Sequence, residues 1–203
     1  MGSRIAWARF STNRGNLIAV AHYVAHMFRT LPSREDCFRA MEKLLRYRVK
    51  SAHRLLYAMD ANSRIARSTP PITGKYSLHE YSDTGGLRLE SICRTFGLCA
   101  ISTFFKPPQG GGGNITFIPR DKTKTGAQID YVLVKQRFKS DIQQCRVVWE
   151  HSIRHGDKYD HGAIALQVSL TVKRARPANV SLDARPLRDD PSVCKEYKVE
   201  PVH

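Results

Sequence analysis

The sequence predicts an α/β (α+β) layered sandwich, with mixed sheets flanked by helices, and three observations lead there. Short β-like runs recur along most of the 203 residues. Two stretches interrupt them with apolar residues at helical spacing. Hydrophobic residues make up 41% and charged residues 25% of the chain, the balance of a globular domain large enough for a real core. That composition excludes wholesale disorder, collagen and low-complexity classes. A spanning helix is excluded too. The longest apolar candidate, Leu17 to Phe28, carries His22 and His26 and falls short of the ~20 residues a bilayer requires.

The elements follow in order. Ile5 to Phe10 and Leu17 to Tyr23 are strand-like, separated by the turn-rich connector Ser11 to Asn16. Pro32-Ser33 then opens a helix, with Ser33 as the cap and Asp36 at the third position of a capping box. Phe38, Met41, Leu44, Leu45 and Val49 recur along one face, opposite Arg39, Glu42, Lys43 and Arg46. Leu55 to Met59 is a continuous apolar run, the pattern of a strand buried on both faces. Residues 63–86 read as a long loop. Leu89, Ile92, Cys93 and Phe96 share one face of a second helix, which Gly97 stops. Four further strands are expected at Cys99–Phe105, Asn114–Ile118, Ile129–Val134 and Cys145–Trp149, and a last one at Ile164–Val172. The glycine run 110–113 lacks the Gly-Lys-Ser/Thr of a phosphate loop and reads as a connector. The expected domain is 4–172, followed by a basic tail at 173–203.

Thirty-three Lys and Arg against 18 Asp and Glu leave a net charge of +15, which favours polyanionic partners. Residues 1–75 hold 14 basic and 4 acidic side chains and so carry two-thirds of it. Five scattered cysteines with no C-x-x-C pair indicate neither a zinc site nor a disulfide framework, and read as reduced, buried thiols. The N-terminus has no signal-peptide apolar region, so the expected location is intracellular, nuclear or cytoplasmic, and not secreted, with no membrane partner. No obligate protein partner is evident.

Three polar clusters sit at expected strand ends. Asp60-Ala61-Asn62 follows the apolar run, Asp130 lies near the start of Gln128-Ile129-Asp130-Tyr131-Val132-Leu133-Val134, and Asp160-His161 precedes the last strand. An acid inside an apolar strand is expensive to bury unless it is paired or bound to a metal. In this order, together with Ser102-Thr103-Phe104-Phe105 and Thr116-Phe117-Ile118-Pro119, the clusters resemble the endonuclease/exonuclease/phosphatase superfamily, with its deoxyribonuclease I-like fold. The likeness runs over about residues 5–172. Within that superfamily it is nearest to the endonuclease domains of non-LTR retrotransposons.

The resemblance implies roles for residues at matching positions. Asp60 would orient or deprotonate the attacking water, and Asn62 would hydrogen-bond the scissile phosphate. His161 would meet the phosphate as donor or acid, with Asp130 holding its ring. Asp160 would help ligate Mg2+ (or Mn2+). Tyr23 would reach a phosphate oxygen, and Ser102 stands where an Asn often contacts substrate. The implied activity is Mg-dependent hydrolysis of a phosphodiester in nucleic acid, DNA in the leading reading. The alternatives are a catalytically dead nucleic-acid-binding remnant and a phosphatase of inositol phosphates or phospholipids. The pattern also departs from the family. Its first third, with an Asn and a metal-binding Glu on early strands, has no counterpart here. Met59 replaces a Gly, Tyr159 a small residue, and Ser102 the Asn. Loss of that Glu implies weaker metal binding. His151, His155 and Asp157 match no zinc spacing and read as a polar loop. Trp149 and Phe117 read as packing residues, with a DNA-probing role for Phe117 the less favoured option. Arg174, Arg176 and Arg185 read as solubilising or nonspecific nucleic-acid contacts.

Overall fold

The structure is a computed structural model and describes residues 4–12, 15–24, 31–108, 113–121, 123–155 and 158–169. The expected tail at 173–203, His26, Asp157 and glycines 110–112 lie outside the described residues. β1 (Arg4–Thr12) and β2 (Gly15–Tyr23) pair antiparallel, in register from Arg4 opposite Tyr23 to Thr12 opposite Gly15. The pairing consumes most of the expected connector. α1 (Leu31–Arg48) starts two residues before Ser33, so Pro32 and Ser33 belong to its first turn and Ser33 does not precede the helix. Proline suits that turn, where the backbone N–H has no helical partner. α1 carries the chain back to β3 (Arg54–Asp60), which pairs parallel to β2.

α2 (Thr84–Phe96) is capped by Asp83, whose carboxylate accepts from Gly86 N at 2.7 Å, and ends at Gly97 in the left-handed conformation. Gly85 and Gly86, expected in a loop, sit in its first turn. A Cβ on Gly86 would lie 1.7 Å from the Arg64 carbonyl oxygen, so only glycine lets the helix end press against that segment. β4 (Leu98–Ala100) is shorter than expected, since Ile101–Phe104 turns into a 3-10 helix. The segment 114–118 makes only isolated bridges, from Phe117 to Ala127 and to His161. β5 (Asp130–Lys135) inserts antiparallel between β3 and β4, completing a mixed sheet in the order β1-β2-β3-β5-β4. β6 (Ile142–His155) and β7 (Lys158–Val168) form a separate antiparallel pair. His151 and His155, read as part of a polar loop, therefore lie in β6, and Asp160-His161 lie within β7 rather than ahead of it.

Alternation along the strands divides the interior in two. Leu55, Tyr57 and Met59 of β3 and Tyr131 and Leu133 of β5 face Phe38, Met41 and Leu44 of α1 and Leu89 and Ile92 of α2. Val132 and Val134 face the other way, against Ile142 and Cys145 of β6, with Leu166 and Val168 of β7 packed alongside. β5 is thus the strand buried on both faces from Tyr131 to Lys135. β3, expected to be so, exposes Ala58 and half-exposes Leu56. The difference arises because β6–β7 covers only the β5–β4 side of the sheet. The four described cysteines, Cys37, Cys93, Cys99 and Cys145, are buried free thiols. No helix among the described residues is long and apolar enough to cross a membrane.

His22 is enclosed on the helix side of β2, 5% exposed, with Nδ1 2.8 Å from the buried Tyr57 hydroxyl. Burial pushes its pKa down to about 4. A histidine buried neutral stabilises the fold above its unfolded pKa of 6.5 and loses that contribution as pH falls towards 4, about 3 kcal/mol in all. Urea unfolding at pH 7 and pH 4 should show that loss, and His22→Gln should show a smaller one.

Candidate active site

Register places the polar residues of three strands in one row. Tyr23 pairs with Asp60 across β2 and β3, and Asp60 pairs with Asp130 across β3 and β5. All three point away from the helices, since their alternate neighbours His22, Met59 and Tyr131 are buried on the helix side. Two carboxylates directly opposite in a sheet repel each other. The repulsion shows in Asp60, whose pKa rises to about 6, through burial first and the Asp130 charge second. Asp130 has a cationic partner. His161 on β7 places Nδ1 3.1 Å from Asp130 Oδ2, and that hydrogen bond, opposed in part by burial, raises the imidazole pKa. The ring plane packs at 5.0 Å and 52° to Phe117.

Thr116 brings the two halves of that pair together. Its fully buried hydroxyl accepts from Ile129 N and Asp130 N, both at 3.0 Å, and its carbonyl accepts from Gly162 N at 2.9 Å. Ile118 N donates to the Asp160 carbonyl at 2.8 Å. One short segment therefore aligns the strand of Asp130 with the strand of His161. Sequence reasoning assigned Thr116 no such role, because a hydroxyl that serves another strand's backbone leaves no trace in periodicity.

The turn after β3 is held as closely. Asn62 has φ +45°, in the left-handed region that Asn tolerates better than most residues. Its N–H donates to Asp60 Oδ1 at 2.9 Å, and its side-chain amide donates to the Val24 carbonyl at 2.9 Å. Arg34 of α1, almost buried, donates to the Asn62 carbonyl at 2.9 Å and to the Ser63 hydroxyl. A Cβ on Gly85 would strike that guanidinium, so the glycine leaves room for it. Arg34 also went unnoticed in the sequence.

The row and its histidine contain Tyr23, Asp60, Asp130 and His161, with Asn62 two residues beyond Asp60. The donor atoms of Asp60, Asp130 and His161 all lie within 4.8 Å of one another, the group among the described residues that best suits a metal ion. Asp160, the expected ligand, is not in that group and acts on His161 through its charge from the adjacent position. Ser102 is fully buried and its hydroxyl accepts from the Gln128 amide at 3.3 Å, a position that does not present it to a ligand. The chemistry of the trio fits a hard divalent cation. Two carboxylates crowd together, and part of the rise in the Asp60 pKa, after burial, comes from the Asp130 charge, which a divalent cation would offset.

No protein-family model matches the sequence, and no curated protein matches it. Solved structures do resemble the fold. NExo, a 3′ phosphatase from Neisseria bound to product DNA hairpin, superposes with a TM-score of 0.55 at 16% identity, over 80% of this chain and 64% of that one. The endonuclease domain of TRAS1, a telomere-specific non-LTR retrotransposon, gives 0.53 at 17% over 82% and 64%. The AP endonuclease LMAP from Leishmania major gives 0.52 at 16% over 74% and 49%. The chain spans a little under two thirds of the length of the first two. It shares the fold of these structures, a deoxyribonuclease I-like layered sandwich.

Two outcomes test the site's energetics. Asp60 is held protonated more readily folded than unfolded, so its stabilising contribution is complete below pH 3.8 and disappears as pH rises through 6. In EDTA at pH 8, Asp60→Asn should raise stability by up to about 3 kcal/mol, with no gain near pH 3.5, read by urea unfolding. Thr116→Val should strand two buried N–H groups and cost about 1–3 kcal/mol by the same measurement.

Proposed function

We propose that the chain is a divalent-cation-dependent phosphodiester hydrolase acting on DNA and related by descent to retroelement endonucleases. The observation that carries this reading is the row Tyr23–Asp60–Asp130, with His161 hydrogen-bonded to Asp130. Sheet-borne carboxylates and an imidazole meeting on one face constitute an acid–base pair with a place for a cation beside it. The net charge of +15 favours a polyanionic substrate, and the nucleases that share the fold act on nucleic acid.

Each residue then has a task. Asp60, with a pKa of about 6, is ionised at neutral pH and accepts a proton from the attacking water. Asp130 fixes the His161 ring through Nδ1, leaving Nε2 to donate to a phosphate oxygen. The raised pKa of His161 keeps more of the ring protonated near pH 7, as a donor requires. Tyr23, half-exposed at the end of the row, offers its hydroxyl to a non-bridging oxygen. Asn62 gives one N–H of its amide to the Val24 carbonyl and has a second for a phosphate oxygen. A divalent cation held by Asp60 and Asp130 would supply charge neutralisation at the phosphate.

In a nicking assay on supercoiled plasmid and abasic duplex with Mg2+, the protein should cleave. His161→Ala should lower the rate at least 100-fold, and EDTA should abolish it. Equal cleavage by both proteins would remove the assignment. The rate should climb as pH passes 6, where Asp60 ionises, and decline once His161 deprotonates above the usual histidine range.

A further inference from the structure

Charge is divided between the two ends of the five-stranded sheet. Asp60 and Asp130 mark one end. The other lies the length of β3 away, seven residues or about 20 Å. There the exposed Arg9 of β1 stands near Arg48, in the last turn of α1, and Lys50, which follows it, and Arg137 follows β5. Among the described residues, none of these four has a carboxylate within ion-pair distance. Asp141, the acid of this end, is taken by Arg54 at 2.6 Å. The cations crowd one another. Lys135 Nζ reaches the Lys50 and Ser51 carbonyls, and its pKa falls to about 8 through burial and then the Arg137 charge. His53 is lowered by burial and then by Lys135, with smaller effects from Lys50 and Arg9.

One exposed aromatic side chain stands beside them, Tyr47 at 70%, between Arg46 and Arg48 in sequence. Phe10, 42% exposed, lies on the opposite face of β1 from Arg9. Cations interleaved with exposed rings are the pattern that single-stranded nucleic acid meets, with phosphates on the charges and bases on the rings. Adsorption to a membrane would instead require a free aliphatic face, and α1 buries its own in the core.

We propose that this end of the sheet is a second nucleic-acid contact surface, engaging the phosphodiester backbone through Arg9, Arg48, Lys50 and Arg137 and stacking bases on Tyr47. It rests on the nucleic-acid reading above for the choice of polyanion, and is independent of hydrolysis. A strand held there is anchored about 20 Å from the carboxylate row.

The test is fluorescence anisotropy of the full chain with a labelled 30-nucleotide single strand in EDTA, where no cleavage occurs, from 50 to 300 mM salt. Arg9→Glu, Lys50→Glu and Arg137→Glu combined should weaken binding at least tenfold and make the slope of log affinity against log salt shallower by about two. Tyr47→Ala should weaken binding about fivefold or more and leave the slope unchanged. Binding is read here without cleavage, so a failed nicking assay would leave this outcome untouched, which separates it from failure of the hydrolase reading. The Gln versions of the three substitutions, in a protein with an unchanged circular dichroism melt, guard against misfolding. Unchanged affinity and slope in that folded variant would overturn the proposal. So would binding to phosphatidylserine vesicles in place of the oligonucleotide.

Discussion

Asp60 and Asp130 face each other across β3 and β5 in a pairing where two like charges are destabilising, and much of the surrounding structure answers to that conflict. One acid yields by holding its proton to a higher pH, and the other is joined by a histidine from a different sheet. The strands cannot slip to relieve the repulsion. A shift by one residue would turn Tyr57, Met59, Tyr131 and Leu133 out of the core. Hydrophobic burial therefore holds two carboxylates together that electrostatics alone would separate.

Around this pair the polar framework consists mostly of single side chains serving backbone groups. Tyr131, fully buried, receives the Ile65 N–H and donates towards the Gln128 and Ser63 carbonyls, which ties the segment after Asn62 to the strand of Asp130. Glu90 of α2 accepts from Thr69 and Ser82 and so fixes the middle and the end of the long irregular connection to one helix. Arg88 bridges Glu35 and Glu42 of α1 and holds the two helices side by side. Such contacts restrict the motion of the groups that meet in the row, and side chains held in place lose less entropy when a ligand arrives.

The helices and the β1, β2, β3 and β5 strands were legible in the sequence because periodicity reports directly on burial. The faces of Phe38–Leu45 and Leu89–Cys93 are where spacing placed them. Asn114–Ile118 alternates like a strand but finds only isolated bridges, since the Thr116 hydroxyl and carbonyl are drawn to two different strands. The β6–β7 pair extends through residues too polar to signal a strand by apolar alternation. Asp60, Asn62, Asp130 and His161 stood out by their order along the chain. Arg34 and Thr116 did not. Their importance comes from approaches across 28 and 14 residues that no local pattern encodes.

The carboxylate row draws its members from positions 23, 60 and 130, and the imidazole comes from 161. Nothing local can assemble it. Strand pairing over such separations closes long loops before it gains contacts, which places completion of the row late in folding and makes the process slow for a chain this size. A chain ending just before His161 would carry all five strands of the sheet and both carboxylates, with no histidine beside them.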